Sequence, residues 1–573
     1  MKRIFLVLSL AALSVAIWAV PAERTRLKVR LVDGTEVYVT AQGDEHLSWF
    51  QTEDGEVIVP AEQHPDLYMK SHLTLQQTLE EATNRRLAVR RLGTHEAAAL
   101  PSEGSPKVPV VLVSFQDSVF HVGKTDEEVR AYYDLFCNGT RDGNRYTEHG
   151  SYGSIRDYFL GQSDSIFQPE FVIIGPVKLS NPVATYGKNS GSSKDTGFSQ
   201  LRKEAVTKAT ELYDGDWSDF DNKKKGNGNV DLVFFIFAGC GENTMQTNAN
   251  LIWPKEHTAS TTTELDDGTK LTFANSACCS ENQARRSSDG SYTAKPDGIG
   301  VMCHEFSHAL GLPDLYDTNG IAFGMDIWSI MDYGCYMSNG YSPVAFTAYE
   351  RDFMGWRKLQ EISTSGYYTL NPIASPEGVG LKVVNPANSD EYYILEARLK
   401  SNWDATLSRY GHGMQVTHVD YLRSAWTSNS VNSNKNHQRM TIIAANNNYQ
   451  GSNTDGNLRE TWAGNLYPYV YTDESGEHRN DSLTATSTPA ATVYTASGTM
   501  PHSITDITLS EDELQIRFLF DGGLYDAVRD LHERSQSAES APTPWFDLNG
   551  RPAKNASQSG VYVSGDKKVF VHN

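Results

Sequence analysis

His304-Glu305-Phe306-Ser307-His308-Ala309-Leu310-Gly311-Leu312-Pro313-Asp314 is the stretch of this 573-residue chain whose reading decides the rest. Gly298 and Gly300 stand ahead of it, and Ile299–Leu310 is an apolar run that predicts a short helix. Residues four apart on a helix share a face, so His304 and His308 present two imidazoles side by side. Glu305 then stands beside the point the two rings face. Gly311 follows the helix, where a left-handed residue ends it and turns the chain, and the turn swings Asp314 back as a third ligand. Two imidazoles and a carboxylate suit zinc, which lowers the pKa of a bound water to about 7. On this reading His304, His308 and Asp314 hold a single Zn2+ and Glu305 is a general base. Asp317 competes for the third place, and either carboxylate also reads as an ordinary helix-end turn residue.

Trp328-Ser329-Ile330-Met331-Asp332-Tyr333 lies downstream. The histidine segment, with aspartate where a third histidine is usual, and this methionine-bearing turn together resemble the zinc-binding pattern of metzincin peptidases. The resemblance implies that Met331 forms an apolar floor under the metal and is not a ligand. It also implies that Tyr333, two residues further on, contacts the metal or the developing oxyanion, as in astacin-like enzymes. A phenol there could donate to a tetrahedral intermediate. Simple packing is the competing role.

Upstream, Val108–Phe115 and Val230–Ala238 are continuous apolar runs that predict buried strands. Helical patterns lie near Asp126–Phe136 and Gln200–Tyr213, so strands and helices alternate as in an α/β unit. Ahead of it, Leu27–Leu31 and Glu36–Thr40 read as short strands, with turns at Asp33-Gly34 and Asp54-Gly55. A polar helix with Arg85, Arg86, Arg90 and Arg91 follows around Leu73–Arg91, then a small-residue linker at Ala97–Pro106. Beyond Tyr367, β-rich runs dominate: Tyr392–Leu395, Met414–Val419, Met440–Ala444 and Leu514–Phe520. In the last, Leu514, Ile516, Phe518 and Phe520 alternate as one buried face requires.

His304–Thr318 (HEFSHALGLPDLYDT) with the following WSIMDYG run is similar to the immune inhibitor A-type secreted metalloproteases of bacteria. So are Gly43–Glu45, Thr52–Gly55, Gly153–Phe159, Ile174–Val177, Ile252–Pro254, Tyr341–Trp356, Glu391–Arg398 and Gly411–Tyr421, which spread the resemblance over roughly residues 25–523. It implies a multidomain α/β (α+β) metzincin-like zinc protease, with a small β-rich propeptide before the catalytic domain and a β-sandwich-like domain after it. The expected division is a signal peptide at 1–22, a propeptide at 23–105, the catalytic domain at 106–360, a β-rich domain at 361–523, and a linker with a short β module at 524–573. The activity implied is secreted zinc endopeptidase, extracellular or at the surface of a bacterium, acting on proteins or peptides. Many relatives carry an Asp/Asn/Gly-rich run like a Ca2+ loop where this chain has Asp219-Phe220-Asp221-Asn222-Lys223-Lys224-Lys225-Gly226-Asn227-Gly228. Three lysines stand in place of hard oxygen ligands, which favours a solvated turn over a calcium site. Trp545–Arg551 through Lys568-Val569 resembles the end of the sorting domains of type IX secretion, implying contact with secretion machinery; a plain terminal hairpin explains it equally.

Net charge is -21, which argues against nucleic acid as a partner, since phosphate binding needs a basic footprint. Lys2 and Arg3, the apolar run Ile4–Ala19 and the small residues Val20 and Ala22 read as a signal peptide. The alternative is an uncleaved anchor, although the run is shorter than the roughly 20 residues of a spanning helix. No later segment reads as transmembrane. Cys137, Cys240, Cys278, Cys279, Cys303 and Cys335 could pair in an exported protein, with no pairing selected, and Cys303 reads as packing on the buried side of its helix or as half of a disulfide. Residues 23–105 hold no cysteine, so if they inhibit, a carboxylate such as Asp44 is the candidate blocker, by analogy with aspartate-switch zymogens. The competing function from another class is a surface adhesin with a decayed protease domain.

Overall fold

The computed structural model describes residues 17–18, 20–22, 26–44, 46–61, 64–87, 98–190, 193–223, 229–287, 291–320, 322–451, 458–522, 545–547, 552–553, 560–564 and 567–571. The leader to residue 16, Arg90, Arg91, the lysines Lys224 and Lys225 and residues 523–544 of the expected linker region lie outside them.

The first strands are β1 (Ile17–Trp18), β2 (Arg26–Arg30), β3 (Glu36–Gly43), β4 (Ser48–Thr52), β5 (Val57–Ala61) and β6 (His64–Lys70), followed by helix α1 (Leu75–Leu87). Strands β2 to β6 form a five-stranded sheet in sequence order, as successive antiparallel hairpins do. Its core of Leu27, Val29, Val39, Phe50, Ile58 and Tyr68 is completed by Trp253, a residue from a distant part of the chain.

The central unit contains β7 (Lys107–Ser114), α2 (Asp126–Asn138), α3 (Ile155–Gln162), β8 (Glu170–Lys178), α4 (Phe198–Leu212), β9 (Asn229–Cys240), β10 (Lys255–His257), β11 (Thr261–Glu264), β12 (Lys270–Arg286), β13 (Tyr292–Pro296) and α5 (Gly300–Ala309). Its sheet runs β1-β10-β12-β9-β7-β8, with β11 and β13 also on β12. The pairs β7–β8, β7–β9 and β9–β12 are parallel, and β10 joins β12 antiparallel. A parallel core is covered on both faces, which is why β7 and β9 read as unbroken apolar runs. Alternate residues divide between the faces: Val110, Leu112, Phe234 and Ile236 join the cluster that holds α2, α3 and α5, while Val111, Val113, Phe235 and Phe237 join that of α4. Helix α5 is buried along its whole length. Phe306 anchors it, its ring 5.1 Å from that of Phe159 and 5.5 Å from that of Phe171. Truncating such a ring to alanine costs about 3–5 kcal/mol.

Two sets of contacts run across the expected boundaries. Residues 98–104 are not a free linker. Ala99 donates its amide to Ala309 O at 2.7 Å, Gly104 donates to Ile166 O, and Trp356 Nε1 donates to Ser102 O. Nor does the core end near residue 360, because Tyr392, Ile394, Val419, Trp426, Met440 and Leu466 belong to the same apolar cluster as α5. The β-rich region beyond forms a five-stranded sheet, a three-stranded sheet and a hairpin around a second core that includes Val383, Tyr393, Leu395, Val416 and Phe518. Leu514 is 52% exposed and precedes the strand Ile516–Phe520, so the buried face starts at Ile516 and not at Leu514. The terminal module pairs four short strands between Trp545 and Val571. In the lysine-rich run, Asp219 salt-bridges Lys107, and Asn222 accepts from the Lys107 amide, so its described part fastens β7. All six cysteines are free thiols, and burial pushes that of Cys303 well up, leaving an inert packing residue.

In the β-rich region Glu391 accepts from His418 Nε2 at 2.9 Å, the Tyr494 amide at 2.5 Å and Asn385 Nδ2 at 2.9 Å. Partial burial works to raise its pKa, but these donors outweigh it and hold the carboxyl down at about 2. A depressed carboxylate contributes stability that is full above its unfolded pKa of about 4.3 and is lost as pH falls through the folded value. Melting temperature followed from pH 5 to pH 2 should therefore fall less steeply in Glu391→Gln than in the parent, and parallel curves would show that Glu391 is not the sensor.

Candidate metal centre

Helix α5 supplies both imidazoles, and the two turns around it fix how they point. His304 Nδ1 lies 2.7 Å from Ile330 O and His308 Nδ1 lies 2.8 Å from Leu312 O. A carbonyl can only accept, so each ring places its proton on Nδ1 and leaves Nε2 as a bare lone pair. The two Nε2 atoms are 3.1 Å apart, with Asp314 Oδ1 3.2 Å from each. Among the described residues no hydrogen-bond donor is paired with that oxygen, although it is fully buried. Three acceptors converging in a dry interior repel one another unless a cation lies between them. Ligands about 2.0–2.1 Å from a tetrahedral zinc are about 3.3 Å apart, so the observed triangle fits that ion in size and in donor chemistry.

The turn at Gly311 brings the carboxylate back. Gly311 has φ +104°, and its amide donates to His308 O at 2.8 Å. A side chain is strained at that φ, so glycine is required. Asp314 is then held by Asn429, which accepts from the Asp314 amide at 2.7 Å and donates Nδ2 to Oδ2 at 2.5 Å. Asp317 goes elsewhere: its oxygens accept from the amides of Asn319 and Ala322, closing the next turn. Met331 is fully buried, and its carbonyl accepts from the Leu315 amide, tying the methionine turn to the ligand loop.

The electrostatics follow from burial. Burial lowers the pKa of His308, with Asp314 opposing. Glu305 is pushed well up, by burial first and then by the charge of Asp314, while the Val20 amide pulls the other way.

A peptide segment lies across these groups. Strand β1 pairs antiparallel with β10 and takes the edge of the sheet beside the site, with Trp18 opposite Glu256. The Val20 amide donates to Glu305 Oε1 at 2.8 Å. Trp253 Nε1 donates to Val20 O at 3.1 Å, Tyr336 OH to Pro21 O at 2.9 Å, and Tyr333 OH to Ala22 O at 2.7 Å. Asp44, the candidate blocker, accepts from the amides of His46 and Leu47 in its own turn. The group that reaches Glu305 comes from a stretch read only as the end of a leader. The Tyr333 hydroxyl meets this backbone.

Three residues of the site escaped sequence reasoning. Trp253 stands in Ile252-Trp253-Pro254, a stretch noted for resemblance but given no role. Tyr336 lies three places beyond Tyr333 on the same turn, a spacing that could have marked it. Asn429 is 115 residues from Asp314 and carries no local signal.

Residues 95–359 match the family described as immune inhibitor A peptidase M6, catalytic domain, the family that the HEFSHALGLPDLYDT segment resembles. The pre-pro-metalloprotease PrtV of Vibrio cholerae is 26% identical over 276 residues, covering 43% of this chain and 29% of the relative. Immune inhibitor A of Bacillus thuringiensis subsp. alesti is 24% identical over 256 residues, covering 40% of this chain and 35% of the relative. The chain thus spans about a third of the length of the curated relatives it matches. Among the described residues no helix is long and apolar enough to cross a membrane.

Metal analysis of purified variants tests the ligand set. Asp314→Ala should lose zinc, whereas Asp317→Ala should keep it. Asn429→Ala should weaken zinc binding about 10- to 100-fold, the usual effect of removing a partner that orients a ligand. Full zinc in Asp314→Ala with loss in Asp317→Ala would reverse the assignment.

Proposed function

We propose that this chain is a secreted zinc-dependent endopeptidase that hydrolyses peptide bonds in extracellular proteins, with His304, His308 and Asp314 as ligands and Glu305 as general base. The observation that carries the reading is the convergence of the three ligand atoms beside Glu305, with a peptide amide already hydrogen-bonded to that carboxylate. Zinc bound there supplies Lewis-acid polarisation of the scissile carbonyl and acidifies the attacking water. Glu305 takes the proton of that water and hands it to the leaving amine. The resident Val20 amide marks where that amine would stand. Burial of Glu305 supports a carboxylate able to hold a proton between the two transfers.

The same contacts support latency. The segment from Val20 to Ala22 is bonded to Glu305, Trp253, Tyr336 and Tyr333, and the sheet of β2 to β6 packs onto Trp253, so the exported precursor is inactive until this segment leaves. On this reading the leader ends before Val20. N-terminal sequencing of the latent precursor should find Val20 or an earlier residue; a precursor that is latent yet begins at Glu23 refutes this form of blocking.

Glu305→Gln should fold and retain zinc while losing activity by about 10²–10⁴-fold. A chelator should abolish wild-type activity, and added zinc should restore it. Peptide hydrolysis that survives in metal-free enzyme would remove the metallopeptidase reading, and a zinc-loaded wild type inert on every protein offered would favour the adhesin.

A further inference from the structure

Trp253, Tyr336 and Tyr333 donate to three successive carbonyls, those of Val20, Pro21 and Ala22. The donors come from two separate walls. Trp253 precedes strand β10, while the two tyrosines lie on the turn after Met331. All three are side-chain donors directed at main-chain oxygens, so they read the peptide backbone and not its side chains. We infer that these three residues form a carbonyl ladder that holds the C-terminal side of a substrate in register, so that the enzyme works on bonds followed by at least three residues.

The register comes from the same atoms. With the Val20 amide nitrogen on Glu305, Val20 occupies the position just after the cut bond, Pro21 the second and Ala22 the third. Strand β1 pairs with β10 on the other side of that point, as an extended substrate would add to an edge strand. Val20 is fully buried and belongs to the large apolar cluster of the central unit, so the first position suits an aliphatic side chain. The second position already holds a proline, which has no amide hydrogen to offer, so holding there depends on the Tyr336 hydroxyl acting on a carbonyl. The substrate class is an extended peptide with an aliphatic residue after the cut and proline tolerated next, and this assignment rests on the peptidase reading.

Three amidated peptides that share one N-terminal half and end in Ala-Val, Ala-Val-Pro or Ala-Val-Pro-Ala test the ladder on the processed, active chain. Wild-type kcat/KM should rise with each added residue, by about 2- to 10-fold per neutral hydrogen bond. Tyr336→Phe should erase the gain from adding proline, and Tyr333→Phe the gain from the last alanine. Trp253→Phe should lower all three by one common factor. If Tyr336→Phe lowers the three peptides equally, or none of them, the ladder is wrong. A second measurement needs no catalysis. In the full chain made without export, which keeps residues 17–22, hydrogen exchange at the Val20 and Ala22 amides should quicken severalfold in Tyr336→Phe and Tyr333→Phe. Unchanged exchange in both overturns the ladder. A wild type that cuts no peptide while the variants exchange faster refutes the peptidase reading and leaves the ladder standing.

Discussion

Two protons, those that His304 and His308 give from Nδ1 to the carbonyls of Ile330 and Leu312, fix the geometry on which the rest of this molecule depends. They settle the tautomer of each ring, and so decide that both Nε2 lone pairs face the same point. The acceptors are backbone atoms, so the site is only as well placed as the turns that carry them. The methionine turn supplies one carbonyl and the glycine turn after α5 supplies the other. Each turn is braced in its own way: the left-handed φ at Gly311 shapes one, and the bond from the Leu315 amide to Met331 O links the two. The doubly covered sheet behind them provides the rigid, dry wall that makes three converging acceptors costly without a cation.

Much of this was legible because it is local. The four-residue spacing of the histidines, the glycine that ends the helix and the aspartate past the turn all lie within one short segment, and helix geometry converts spacing into direction. Buried parallel strands announce themselves as continuous apolar runs, so β7 and β9 were found nearly to the residue. What escaped was long-range. Asn429 grips Asp314 across a separation that no periodicity encodes. Strand β12, with buried serines, an asparagine and a glutamine among its residues, lacks the apolar signature that gave away its neighbours. The residues at 98–104 have the composition of a linker, because backbone hydrogen bonds and one buried leucine fasten them and leave no compositional mark.

The β-rich region is more than an appendage. Its loop carries Asn429, its strands extend the cluster that buries α5, and Asn432 donates to Leu315 O beside the ligand loop at 2.7 Å. Asp314 is therefore oriented from a part of the chain that a linear division assigns to another domain. Loosening that contact would act on the metal centre without touching a histidine.

The tie between Ala99 and Ala309 has a practical meaning for anyone building a switchable form of this protein. The strand of chain that enters the central unit is stitched to the far end of the helix bearing both imidazoles, and continues through Gly104 to Ile166 and through Ser102 to Trp356. A protease recognition sequence or affinity tag grafted between residues 98 and 104 would unpick the back of the metal centre. Such an insertion belongs upstream of this seam, where a cut can release the N-terminal sheet and leave the helix end sealed.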